Sequence, residues 1–162
     1  MNAASILKNE LLAELKVGIR SMEGLLNKVK EEDWDYQPAV NMRNLKELAK
    51  HIVSLPEVDL NIWMEKDQET IQKLEAKYNR LETVEEMIKE MSDGFDSYKN
   101  FMLSMNERDF LAKKTKPFYL EKGEIQAHWL VEEISHFFHH RAQFFNYLKQ
   151  LDYDVNMFDL YV

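Results

Sequence analysis

The chain has 162 residues, enough for one domain with a sizeable core, and carries 29 acidic against 21 basic residues for a formal net charge of −8. That balance speaks against a surface built for nucleic acid, and the lack of cysteine excludes disulfides, zinc-thiolate sites and a thiol nucleophile of the protein's own. No window approaches the eighteen or so apolar residues of a membrane span, so the expectation is a soluble, cytoplasmic protein with no membrane partner, acting on small molecules.

Four glycines and three prolines are few, which favours helices over a sheet with many turns. A first helix is predicted from about Ser5 to Lys30, with Ile6, Leu7, Leu11, Leu12, Leu15, Ile19, Met22, Leu25, Leu26 and Val29 on its buried face. The stripe is broad enough for two neighbours and is the one hint of a dimer in the residues themselves. Glu31 to Met42 breaks the period and reads as a loop over one end of the fold, with Trp34 and Tyr36 the best candidates to wall a pocket. Asn44 with Glu47 looks like a cap for a second helix from Leu45 to about Lys66, in which Pro56 predicts a kink or an early stop near Ser54 and Leu55. Asp67 to Glu82 is mostly charged and reads as a solvated connection with room for one short helix.

Thr83 with Glu86 caps a third long helix, Val84 to about Met105, with Met87, Ile88, Met91, Phe95, Tyr98, Phe101 and Met102 inward. Asn106 to Lys122 is a crossover loop whose Lys113-Lys114-Thr115-Lys116 run is expected to be solvated. After Gly123 no Gly or Pro interrupts a fourth helix from Glu124 to Val155, and the apolar tail to Val162 is expected to pack back on the body. Four long amphipathic helices with two longer connections predict one all-α domain over residues 1–162, an antiparallel four-helix bundle.

Three of the five histidines fall within nine residues of the fourth helix. His136 and His140 stand four apart, one helical turn, the spacing by which a helix offers two imidazole nitrogens to one metal ion. His51 lies within the apolar arc of the second helix and points inward, where a lone histidine would ordinarily be a buried neutral one. It is not alone. Trp129, Glu133, His136, His140, Gln143 and Tyr147 share one stripe of the fourth helix, an expensive set of polar groups to bury unless they bind something. Together these residues predict a three-histidine metal site at His51, His136 and His140.

At this point the chain resembles the DinB-like (DinB/YfiT) family of bacterial four-helix-bundle proteins. The matching pieces are Trp34-Asp35-Tyr36-Gln37-Pro38, the segment Leu45 to Ile52, and His136-Phe137-Phe138-His139-His140-Arg141-Ala142-Gln143 followed by Tyr147-Leu148-Lys149, in that order across essentially the whole chain. Where the family commonly has Gly between the Arg and the Gln, this chain has Ala142. The resemblance implies His51, His136 and His140 as metal ligands and His139 as a neighbour. It also implies a divalent ion, variously nickel, zinc, iron or manganese, and a homodimer. Some such proteins are thiol-dependent transferases or isomerases acting with bacillithiol or mycothiol; the damage-inducible label describes regulation.

Three neutral imidazoles leave the full charge on an ion and leave coordination positions open, a catalytic arrangement that acidifies a bound water or thiol. A low-molecular-weight thiol from outside would suit a chain without cysteine. Glu133, one turn before His136, is the candidate catalytic carboxylate, either accepting an imidazole N–H or acting as general base, whereas Glu132 is expected to form an exposed salt bridge. Gln143 and Tyr147 continue the same stripe, with orienting a substrate and hydrogen-bonding within the core as the two readings; Arg141 is assigned to a surface or subunit-contact pair, and His128 is expected to be exposed. The expected function is a metal-dependent enzyme, a thiol-dependent S-transferase or a hydrolase. The competing account is a non-catalytic dimeric stress-response or ligand-binding module with structural metal or none. A ferritin-like di-iron site is rejected, because Glu133-x-x-His136 has no second Glu-x-x-His to complete it.

Overall fold

The computed structural model describes residues 2–162. Six helices form: α1 Ala3–Leu26, α2 Leu45–Trp63, α3 Gln68–Asn79, α4 Val84–Ser104, α5 Glu107–Ala112 and α6 Gln126–Gln150. Two antiparallel two-residue strands, β1 Lys114–Thr115 and β2 Glu124–Ile125, lead into α6. The four long helices α1, α2, α4 and α6 make the bundle, with α2 packed on α4 and α6 and α1 packed on the same two. Contacts of Lys8 with Met105 and of Lys16 with Phe95 show α1 running against α4. Pairings of Lys46 with Glu82 and of Glu57 with the Gly94 region show α2 running with α4, which the return leg through α3 makes possible. Among the described residues no helix is long and apolar enough to cross a membrane.

The two predicted capping boxes are present: Asn44 and Thr83 each accept the backbone N–H three residues on, and Glu47 and Glu86 reach back to the cap N–H. Helix ends were harder to place. α2 stops at Trp63 and α6 at Gln150, and in both the next residue but one is left-handed without being glycine: Glu65 has φ 60° and Asp152 φ 59°. Lys66 N–H donates to Asn61 O and Glu65 N–H to Ile62 O; Tyr153 N–H donates to Leu148 O and Asp152 N–H to Lys149 O. Each is a Schellman closure made at a residue type that pays roughly 1–2 kcal/mol for the conformation.

Pro56 neither stops nor splits α2, which runs as one helix through it. A proline there removes one helical N–H bond and costs about 3 kcal/mol in an isolated helix, so packing must offset it. Gly94 of α4 supplies the space, since a Cβ at that position would lie 3.2 Å from the Glu57 backbone nitrogen and 3.5 Å from Pro56 Cβ. The charged stretch after α2 is also more ordered than its composition implies. α3 runs for three turns, buries Ile71 and Tyr78 against the body, and is pinned where Lys77 Nζ meets Glu57 (2.7 Å) and Glu90 (2.6 Å). Within the predicted crossover loop, Thr115 is buried and its Oγ1 accepts from Gln126 Nε2 (2.8 Å) and Trp129 Nε1 (3.0 Å), while the lysines around it stay exposed.

Two surface assignments need correction. Ile6 and Leu7, placed in the buried stripe of α1, are each 50% exposed, and the long side chain between stripe positions, Lys8, is buried instead with its ammonium on Met105 O (2.7 Å). Arg141, assigned to the surface, is 5% exposed. Its Nη1 donates to Ser21 Oγ on α1 and to Leu160 O in the tail, both 2.9 Å, and its guanidinium lies 4.1 Å from the Phe138 ring centroid. One arginine thus ties α6 to α1 and to the tail that packs back across them. Charge-assisted bonds of this kind are worth roughly 2–3 kcal/mol. Arg141→Ala should therefore lower the unfolding free energy by about that amount in denaturant titrations without lowering the metal content; a loss below about 0.5 kcal/mol, the level of an ordinary surface change, would contradict the clamp.

Candidate metal centre

α2 and α6 cross the molecule in opposite directions, and their shared face carries polar pairs at matched heights. Tyr147 OH donates to Arg43 O (3.1 Å), His51 faces His140, Asp59 faces His136, and Trp63 stacks on Trp129 at 4.3 Å between ring centroids. The antiparallel register therefore turns the i, i+4 pair of α6 toward His51. The ligand-capable nitrogens of His51, His136 and His140 lie within 4.8 Å of one another.

The proton positions follow from the outer partners. His136 Nδ1 is 2.9 Å from Asp59 Oδ2, and His140 Nδ1 is 2.7 Å from Gln143 Oε1. Both partners are oxygen acceptors, so both Nδ1 atoms carry the hydrogen and the Nε2 atoms are left with lone pairs. His51 Nε2 and His140 Nε2 are 3.1 Å apart. Two nitrogens held about 2.0–2.1 Å from one ion at a tetrahedral angle lie about 3.3 Å apart. That pair is already at ligand spacing. The donor set fits a divalent metal, and the cluster could hold one.

Electrostatics sort the three rings. Burial holds His51 neutral, lowering its pKa to about 3, with the charges of Arg43, His140 and His136 adding to the effect. His140 is lowered by burial too. His136 moves the other way because the hydrogen bond to Asp59 favours its protonated form. In acid it is thus the first of the three to lose its lone pair.

The carboxylate that holds His136 is Asp59, not Glu133. Glu133 has no exposed surface; burial, and after it the charge and hydrogen bonding of neighbouring Asp59, raise its pKa far above the carboxylate range, which keeps it neutral. Sealed in the core, it does not reach the groove as a general base would. Glu132 and His128 pair on the surface at 3.3 Å, and His139 is exposed beside His140 without joining the cluster. Asp59 was missed although it had a signal: it is an acidic residue inside the apolar run Val58-Asp59-Leu60, two turns on from His51. Trp34 is buried in the core, and Tyr36 is tied to Gln150 Oε1 (2.7 Å) and edge-on to Tyr147; neither lines the groove.

His51 and His136 open onto a groove of about 740 Å³, walled also by Asp59, Tyr78, Arg43 and Tyr119, the last from the exposed loop between β1 and β2. On the far side of Arg43 a second chamber of about 570 Å³ is walled by Gln143, Tyr147, Leu48 and Met42. Both volumes are in the range of small-molecule sites. Removing the Asp59 charge with the shape retained should loosen His136: Asp59→Asn should weaken metal affinity about 10–100-fold in competition with a chromophoric chelator, and an unchanged affinity would count against Asp59 as the residue that orients it.

The DinB family model matches residues 2–162. Among solved structures, the chain is similar to a protein from Exiguobacterium sibiricum described as a candidate member of the DinB family, at 23% identity over 96% of this chain and 97% of that one, with a TM-score of 0.79. It is also similar to DinB-like proteins from Bacillus cereus, at 19% identity over 90% and 93% with a TM-score of 0.70, and from Bacillus subtilis, at 16% over 90% and 94% with a TM-score of 0.65. At such identities the likeness to these structures is one of fold. No curated protein matches the chain. The bundle, its histidine cluster and a family match spanning the described residues lead to one conclusion: the chain belongs to the DinB family.

Proposed function

We propose that this DinB-family protein binds one divalent ion, nickel, zinc, iron or manganese, at His51, His136 and His140, and uses it as a thiol-dependent S-transferase or a hydrolase acting on a small molecule in the groove. The observation that carries the reading is the convergence of three imidazole nitrogens, two of them on rings that line an open groove. Structural metal sites are closed by four protein ligands, whereas three ligands beside open space suit a site where something else binds. A divalent ion bound there supplies Lewis acidity, lowering the pKa of a thiol or water placed beside it.

The chain's own residues do the rest. Asp59 and Gln143 hold the rings of His136 and His140 with their lone pairs inward, and burial keeps His51 neutral. Tyr119 and Tyr78 add to the wall of the groove. Because the chain has no cysteine, a reacting thiol has to come with the substrate or cosubstrate. The same reading includes a homodimer in the cytoplasm. Ile6 and Leu7, half-exposed on α1, supply apolar surface for the subunit contact.

The reading is tested with protein reloaded separately with each of the four metals. Each form is offered a low-molecular-weight thiol with iodoacetamide and, in parallel, a nitrophenyl ester. At least one form should form thioether or release nitrophenol faster than the reagents alone, and His51→Ala should return the rate to background. No acceleration with any metal would leave the ligand-binding or stress-response module as the better account.

A further inference from the structure

Arg43 ends the loop that leads into α2 and stands where the two chambers meet, lining both. Two of the charged residues that share its groove are engaged within the fold, and Asp59 and Glu75 line it too. Lys50 Nζ donates to Asn79 O (2.8 Å) and lies 3.5 Å from Glu82, and Glu47 Oε2 accepts the Asn44 N–H (3.0 Å) as part of the helix cap. Arg43 differs. Its backbone carbonyl takes the Tyr147 hydroxyl, but among the described residues its guanidinium has no hydrogen bond or ion pair. The guanidinium also lies close enough for its charge to act on all three imidazoles.

A guanidinium presents a planar fork of donors that fits a carboxylate or phosphate with two parallel hydrogen bonds. The residue is exposed, and it lines both grooves, with His51 and His136 along one and Gln143 and Tyr147 along the other. We propose that Arg43 binds an oxyanion, a carboxylate or phosphate, on the small molecule that occupies the groove, so that the protein selects anionic substrates. The proposal rests on the groove as the substrate site. It deepens that reading by giving the substrate a charge and an orientation: reacting end at the histidines, anionic end at Arg43.

The test is calorimetric and needs no turnover. Zinc-loaded wild-type protein and Arg43→Gln, matched in zinc content, are titrated with mercaptopropionate and with its uncharged amide, which share a thiol and differ in the anion. The metal-free proteins are titrated with succinate and with inorganic phosphate. Wild type should prefer mercaptopropionate over the amide by about tenfold, the size expected of one charge-assisted pair, and Arg43→Gln should bind the two alike. Equal binding of both thiols to wild type, or a preference that survives in Arg43→Gln, would overturn the assignment and leave the thiol reading standing. If neither thiol binds, the thiol-free anions decide. Succinate or phosphate binding that Arg43→Gln abolishes supports the oxyanion site while removing thiol from the proposed function, and binding of neither overturns the site. Because the side chain makes no hydrogen bond or ion pair among the described residues, Arg43→Gln is expected to fold as wild type, which its unfolding midpoint checks.

Discussion

The antiparallel register of α2 against α6 is the constraint from which the rest of the site follows. Apolar burial draws the two helices together but does not choose their alignment, because a slide of one turn would still bury leucines and phenylalanines. The polar pairs choose it. Tyr147 on Arg43 O, His140 opposite His51, His136 on Asp59 and Trp129 stacked on Trp63 form a ladder of pairs matched at this alignment. Leaving a buried donor or acceptor unmet costs roughly 1–3 kcal/mol, so a one-turn slip breaks several rungs at once. Some of the groups in that ladder, His51, Asp59 and His136, also line the groove.

The same ladder prepares the donors. A metal ligand must be neutral, and an imidazole in water is close to half-charged at mildly acid pH. Burial removes that problem for His51 and His140, while His136 accepts the opposite bias in return for an Asp59 bond that aims its free nitrogen. Glu133 sits behind this layer as a neutral carboxylic acid, so the core beneath the cluster holds one carboxylate charge rather than two. Arg43 stands at the front, exposed and lining the groove.

Much of this was legible in the sequence, and the parts that were not have physical reasons. Long helices betray themselves by period, and the boxes at Asn44 and Thr83 by residue type; the i, i+4 histidines needed only an inward third to point to a metal. The C-terminal ends of α2 and α6 were obscured because Glu65 and Asp152 occupy left-handed positions where glycine is the usual sign. Pro56 misled because the approach of α4 at Gly94, a tertiary fact, compensates what local sequence forbids. Arg141 looked like surface because its partners, Ser21 and Leu160, are distant in the chain and leave no local trace. Asp59 and Glu133 exchanged roles for a similar reason: helical spacing along α6 favours Glu133, but the carboxylate within reach of His136 comes from the neighbouring helix.

The most direct measurement is the metal content of the protein purified without an affinity tag, by elemental mass spectrometry, beside that of His136→Ala. The account predicts close to one divalent ion per chain in the first and loss of the ion in the second, with both proteins folded. No metal in the wild type after reloading with nickel, zinc, iron and manganese, or equal metal in the variant, would contradict it.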